Sequence, residues 1–226
     1  LLVRAVRDGY AGWRKRRRSI RMAACAVLAC VVFSGVARAD AAAATVTPAT
    51  GGNGVPLVFG HAAFDLATAG YTQSEFFLEG TARAHSPVTP LTNDGNWNVE
   101  TVSPAAYKTR LVVNRPPGPT AFNGTVIVEW FNVSGGADAS PDWQHMHVEL
   151  IRNGYAWVGV SAQAVGLNQL KCGAPGPGCP AGGDAARYGS LVHPGDSYSY
   201  DIFSQAGQAI REHAALILDG LAPERL

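Results

Sequence analysis

Two short apolar runs dominate the middle of the chain. The first, Gly124 to Gly136, is nearly unbroken and rich in β-branched residues, then stops at Asn132-Val133-Ser134-Gly135-Gly136. An apolar run of this length, bounded by turn residues, predicts a strand buried on both faces, as in a parallel sheet. Tyr155 to Ser161 predicts a second strand of the same kind. Between them, Pro141 to Asn153 predicts a helix with Met146, Leu150 and Ile151 as its apolar stripe. Ser140-Pro141 supplies an N-cap and a first-turn proline, and Asn153-Gly154 a stop. Strand, helix and strand in this order form a βαβ unit, with parallel strands and a right-handed crossover.

The flanking pattern is weaker. Tyr71 to Ala84 and Ala106 to Asn114 alternate partly and predict strands or hairpin arms, with a turn at Asn93-Asp94-Gly95-Asn96 between them. Arg115-Pro116-Pro117-Gly118-Pro119 ends the second arm. Residues 40–56 show no periodicity and predict a flexible mature N-terminus or linker. Residues 162–195 form a long Gly/Pro-rich excursion, of a length that is often functional. A helix capped by Asp196 or Ser197 then runs to about Asp219, burying Ile202, Ala206, Ile210 and Ile217, and Gly220 ends it.

Charge changes the picture at the N-terminus. Residues 1–39 hold nine Lys/Arg and one acid, a net of +8, and residues 40–226 hold nine basic and sixteen acidic residues, a net of −7. The basic cluster Arg14-Lys15-Arg16-Arg17-Arg18 precedes an apolar run from Met22 to Val36, and Ala37-Arg38-Ala39 follows. That is the layout of a signal peptide over 1–39 with cleavage after Ala39, the alternative being a basic nucleic-acid arm. The apolar run is short for a membrane span. A periplasmic or extracellular protein is implied, with no nucleic-acid partner once the leader is gone and no stable membrane span. Of the four cysteines, Cys25 and Cys30 leave with the leader. Cys172 and Cys179 flank a Pro/Gly loop and suggest one local disulfide, the alternative being two free thiols.

Val128-Glu129-Trp130-Phe131-Asn132-Val133-Ser134-Gly135-Gly136 and the stretch Arg187-Tyr188-Gly189-Ser190-Leu191-Val192-His193-Pro194-Gly195-Asp196-Ser197-Tyr198-Ser199-Tyr200-Asp201-Ile202-Phe203-Ser204-Gln205-Ala206 resemble a bacterial exported family known as an alpha/beta hydrolase domain. The resemblance covers roughly residues 55–226 and implies an α/β fold, with a mostly parallel sheet and flanking helices. Residues 57–226 would be the N-terminal portion of such a domain. It also implies that the nucleophile strand follows Ala222-Pro223-Glu224-Arg225-Leu226, so that serine, acid and histidine all fall beyond Leu226. The implied function is serine-dependent hydrolysis of an ester-type small molecule, without a cofactor. A non-catalytic binding protein on the same scaffold is the competing reading.

A Gly-Gly loop at the carboxyl end of a buried strand lies where open α/β sheets bind ligands. Gly135 and Gly136 are therefore oxyanion-hole candidates, against a plain turn. Ser134, His193 and Asp196 are candidates for the mouth of the site. Neither Ser134 nor Ser161 has the setting of a nucleophile elbow: Ser161 is followed by Ala162-Gln163, where the elbow requires glycine. Asp138, Asp142 and His145 suggest either an exposed helix face with i,i+4 pairs or, less well supported, a metal site. No metal is implied by tight ligand spacing.

Overall fold

In a computed structural model the described residues are 43–59, 65–179 and 182–226; the leader and its cleavage point lie outside them. Five strands form one sheet in the order β1-β2-β3-β5-β4. β1 is Thr45–Pro48, β2 Thr72–Pro87, β3 Val99–Arg115, β4 Val126–Trp130 and β5 Ala156–Val160. The helices are α1 (Pro141–Arg152), α2 (Ala164–Lys171), α3 (Ala185–Tyr188), α4 (Ser199–Glu212) and α5 (Ala214–Ile217). Among the described residues no helix is long and apolar enough to cross a membrane.

The βαβ unit stands where the apolar runs place it. β4 and β5 pair in parallel, from Val126 opposite Ala156 to Trp130 opposite Val160, with α1 between them in sequence. All five residues of β5 are buried. Both faces are covered, which is why neither run alternates. Leu111, Val113, Val158 and Val160 pack with Ile202, Ala206 and Ile210 of α4, whereas Val112 and Trp157 pack with Trp143 and Leu150 of α1. Successive strand residues point to opposite faces, so α4 and α1 cover opposite sides.

The sheet is mixed, and three of its four pairings are antiparallel, so the parallel part is confined to β4 and β5. The long β2–β3 hairpin accounts for this balance. The segment 40–56, expected to be a linker, contains β1, which adds to the edge of β2 with Val46 opposite Leu78. Its backbone pairing and the burial of Ala44 and Val46 hold it in place where composition alone suggests none.

Two helices were not legible in the 162–195 excursion. α2 contains Gly166 and Asn168, poor helix formers, and no side chain caps it from its own N-cap residue. Its stability is tertiary: Leu167 and Leu170 pack with Phe77, Tyr188 and Leu191, and Asp196 Oδ1 accepts from the Ala164 amide at 2.9 Å. α3 is a single turn, capped by Asp184 accepting from Arg187 N–H. Cys172 and Cys179 are joined by a disulfide across 7 positions.

The helix predicted to run to Asp219 is interrupted at His213, giving α4 and α5, but Ile202, Ala206, Ile210 and Ile217 are buried as expected. In α1, Leu150 is buried and Met146 is not; Trp143 takes its place in the stripe. Ser140 occupies the N-cap without a side-chain cap bond. That role falls to Glu129 of β4, whose carboxylate accepts from the amides of Asp142 (3.0 Å) and Trp143 (2.9 Å) and from Trp157 Nε1 (2.9 Å). Burial, opposed by these donors, pushes the Glu129 carboxyl up.

The disulfide closes a short loop at the end of α2 and restricts the unfolded chain. Replacing both Cys172 and Cys179 by serine is expected to cost about 2 kcal/mol, or roughly 6 °C in Tm for a chain of this size. A thermal melt followed by circular dichroism checks this.

Candidate functional site

The carboxyl ends of β4 and β5 lie side by side, and each continues into a loop that the rest of the chain pins down. After β4, Asn132 and Ala139 exchange both backbone hydrogen bonds at 2.9 Å and close a small loop over residues 133–138. Inside it Asn132 Oδ1 accepts from Ser134 N–H at 3.0 Å, and Val133 O accepts from Gly136 N–H at 2.9 Å. Gly136 sits at φ 80°, a region that favours glycine. The two oxyanion candidates are therefore not equivalent. The Gly136 amide is committed to the turn, whereas the exposed Gly135 amide has no partner among the described residues. Ser134 is an exposed turn residue beside it.

Under this loop lies a buried charge cluster that sequence reasoning missed. Arg110 of β3 is fully buried. Its Nη1 donates to Glu75 Oε1 at 2.8 Å, its Nη2 to Asp138 Oδ2 at 3.0 Å, and its Nε to Ser161 Oγ at 3.0 Å. Arg187 of α3 donates from Nε to Glu75 Oε2 at 2.6 Å and from its two terminal nitrogens to the carbonyls of Gly51 and Ala49. Tyr188 OH donates to Glu75 at 2.9 Å, and its ring lies 5.2 Å from the Arg110 guanidinium. Ser161 Oγ donates to Asp138 Oδ2. Two cations thus face two carboxylates, and the formal charge cancels within the cluster.

Burial acts to lower the Arg110 pKa, but Asp138 and Glu75 more than offset that, and it is raised. Burial likewise pushes the Tyr188 hydroxyl up, with Glu75 adding to it and Arg110 opposing. The remaining oxygen of Asp138, Oδ1, is buried without a hydrogen bond among the described residues. Gly166 of α2 packs directly on that carboxylate, and a Cβ there would run into it.

These contacts correct several expectations. Asp138 precedes α1 rather than lying on it, so it forms no helical i,i+4 pair with Asp142. It is 1% exposed and engaged by Arg110, while Asp142 and His145 are exposed. Among the described residues no group of three His, Cys, Asp or Glu side chains is placed to hold a metal. Ser161 is buried, with its hydroxyl held by Arg110 and Asp138, and is not an accessible nucleophile.

His193 and Asp196 flank the loop after β5 as ties. Gly195 N–H donates to His193 Nδ1 at 3.1 Å, so Nε2 carries the proton and donates to Ala162 O at 2.9 Å. Asp196 caps α2 rather than the helix that follows it in sequence. The aromatic side of the site is Trp130, the last residue of β4. Its Nε1 donates to Gln163 Oε1 at 3.0 Å, and its ring meets Tyr200 at 5.5 Å and Phe203 at 5.2 Å.

Removing Arg110 would leave Asp138 buried without a counter-ion and Glu75 with Arg187 alone. Arg110→Met is expected to cost about 3–5 kcal/mol, read from the shift in urea unfolding midpoint.

No curated protein and no solved structure matches the chain at a significant level. A family model described as alpha/beta hydrolase domain matches residues 45–226, which include β1 to β5 and α1 to α5. With the β3-β5-β4 strand order and the loops at its carboxyl edge, that match places this chain in the alpha/beta hydrolase domain family.

Proposed function

We propose that the chain belongs to an exported serine hydrolase that cleaves ester-type acyl bonds in a small molecule, and that it supplies the sheet and half of the oxyanion hole. The observation that carries this reading lies on the open edge of β4. Arg225 forms a parallel bridge with Thr125, Val126 N–H donates to Arg225 O at 3.0 Å, and Glu224 N–H donates to Gly124 O at 2.8 Å. The segment after α5 thus lies parallel to the start of β4 through a single bridge. In hydrolases of this fold the strand that ends in the Gly-x-Ser-x-Gly elbow follows there, and its serine emerges beside the loop after the preceding parallel strand.

The chemistry follows from that placement. The serine oxygen attacks the ester carbonyl, and the carbonyl oxygen becomes an oxyanion. The Gly135 amide donates to it together with the amide following the serine. The intermediate expels the alcohol, and water then releases the acid from the acyl-enzyme. The signal-peptide layout of residues 1–39 and the Cys172–Cys179 disulfide support export to an oxidising compartment.

The reading frame beyond Leu226 should encode a strand and a Gly-x-Ser-x-Gly-type elbow, and a fluorophosphonate probe should label that serine in the full-length protein. Absence of labelling would favour a non-catalytic binding role. Gly135→Pro deletes the donor N–H and is expected to lower kcat about 100-fold with little change in KM. An equal kcat in the folded variant would move the oxyanion donor elsewhere.

A further inference from the structure

The β2–β3 pair runs on past its contact with β5. β3 meets β5 only over Leu111–Asn114, whereas its pairing with β2 continues as far as Pro87 opposite Val99. The end of this arm and the turn beyond it lie beside the start of α4. A cavity of about 390 Å³ lies between them. Leu91, Trp97 and Val99 of the arm and Tyr200 of α4 wall it, with His85 and Ser197 among its polar groups. Among the described residues no Lys, Arg, Asp or Glu lines it.

The walls are fixed. Asp201 of α4 accepts from Arg83 N–H at 2.6 Å and pairs with the Arg83 guanidinium at 3.6 Å. Ser103 Oγ and Tyr198 OH share a hydrogen bond of 2.9 Å. At the tip, Asp94 accepts from Asn96 N–H and from the Thr92 hydroxyl. Trp97 Nε1 donates to Thr92 O at 2.8 Å. The one polar group of the indole is thereby used within the tip, and its ring remains as an apolar wall. Yet Leu91, Trp97, Val99 and Tyr200 are 45–59% exposed. Four large apolar side chains held around one hollow and left in water mark a place where an apolar group is bound.

One wall of the hollow touches the aromatic side of the candidate site. Tyr200, one of its walls, meets Trp130 edge-on at 5.5 Å, and Trp130 is the last residue of β4, five residues before Gly135. We propose that the arm cavity is the subsite for the apolar acyl chain of the substrate. The ester carbonyl sits at the Gly135 loop, and the chain crosses the Trp130–Tyr200 pair and ends against Leu91, Trp97 and Val99. The inference rests on the hydrolase reading for the ester, but not for the binding of an apolar chain.

The test uses the full-length protein and two cavity-filling variants, Leu91→Trp and Val99→Trp, at exposed positions where a larger side chain does not disturb the core. Decanoate binding is measured by calorimetry, and hydrolysis with p-nitrophenyl acetate and p-nitrophenyl decanoate. Decanoate should bind the parent protein, and each variant should weaken it at least tenfold. The decanoyl-to-acetyl ratio of kcat/KM should fall by a similar factor. Binding that is lost in the variants, from a protein that hydrolyses neither ester, would keep the subsite and overturn the hydrolase reading. Ester hydrolysis with an unchanged chain-length ratio would overturn the subsite and keep the hydrolase. No decanoate binding by the parent, or a filled cavity that alters only the sedimentation of the protein, would overturn the subsite in favour of a downstream segment or a second copy as its occupant.

Discussion

The rest of the structure depends on neutralising one guanidinium. Arg110 sits in the middle of a strand with no access to water, where an unpaired charge would cost several kcal/mol, a large share of a domain's net stability. Its three nitrogens are satisfied by Glu75 from β2, Asp138 from the loop after β4, Ser161 from the end of β5 and the carbonyl of Leu57. Because each partner comes from a different segment, the pairing geometry fixes those segments against one another. The loop carrying Gly135 is set by this geometry: its far end is Asp138, and moving that carboxylate would strand a charge. A buried ion cluster is weak evidence for extra stability, but it is a strong constraint on arrangement.

The long motif of residues 187–206 makes sense in these terms. Arg187 reaches Glu75 and the N-terminal backbone, His193 holds Ala162, Asp196 caps α2, Asp201 clamps Arg83, and Gln205 accepts from Tyr107 OH and donates to Thr81 O. Its polar side chains join elements distant in sequence. The motif is largely a set of struts around the carboxyl edge of the sheet, and those struts hold its loops.

The βαβ unit was legible because burial on both faces leaves an unbroken apolar run, and α4 because its buried residues recur at helical spacing. The hairpin was legible from its turn and its prolines. The charge cluster was not. Glu75 and Arg110 lie in strands whose partial alternation makes a charged residue look like the solvent face. The available signal was that Thr109 to Asn114 includes Leu111, Val112 and Val113 in succession. A run apolar on both faces leaves no solvent face for its arginine, which must then be paired. Asp138 was misread because its spacing to Asp142 was counted across Ser140-Pro141, where the helix starts. α2 escaped because its cap comes from Asp196, 32 residues away, and its glycine is required by packing on Asp138.

The cluster also bears on the order in which the fold can be reached. Arg187 closes onto Glu75 across 112 positions and onto Ala49 across 138. Contacts of that span are gained only after a large loss of chain entropy, and they slow folding relative to local pairings. The β4–α1–β5 unit is assembled from neighbours and can form early. The platform beneath the Gly135 loop needs the chain from residue 49 to residue 188 in hand at once. Its completion therefore depends on contacts of long sequence span, whereas that of the β4–α1–β5 unit does not.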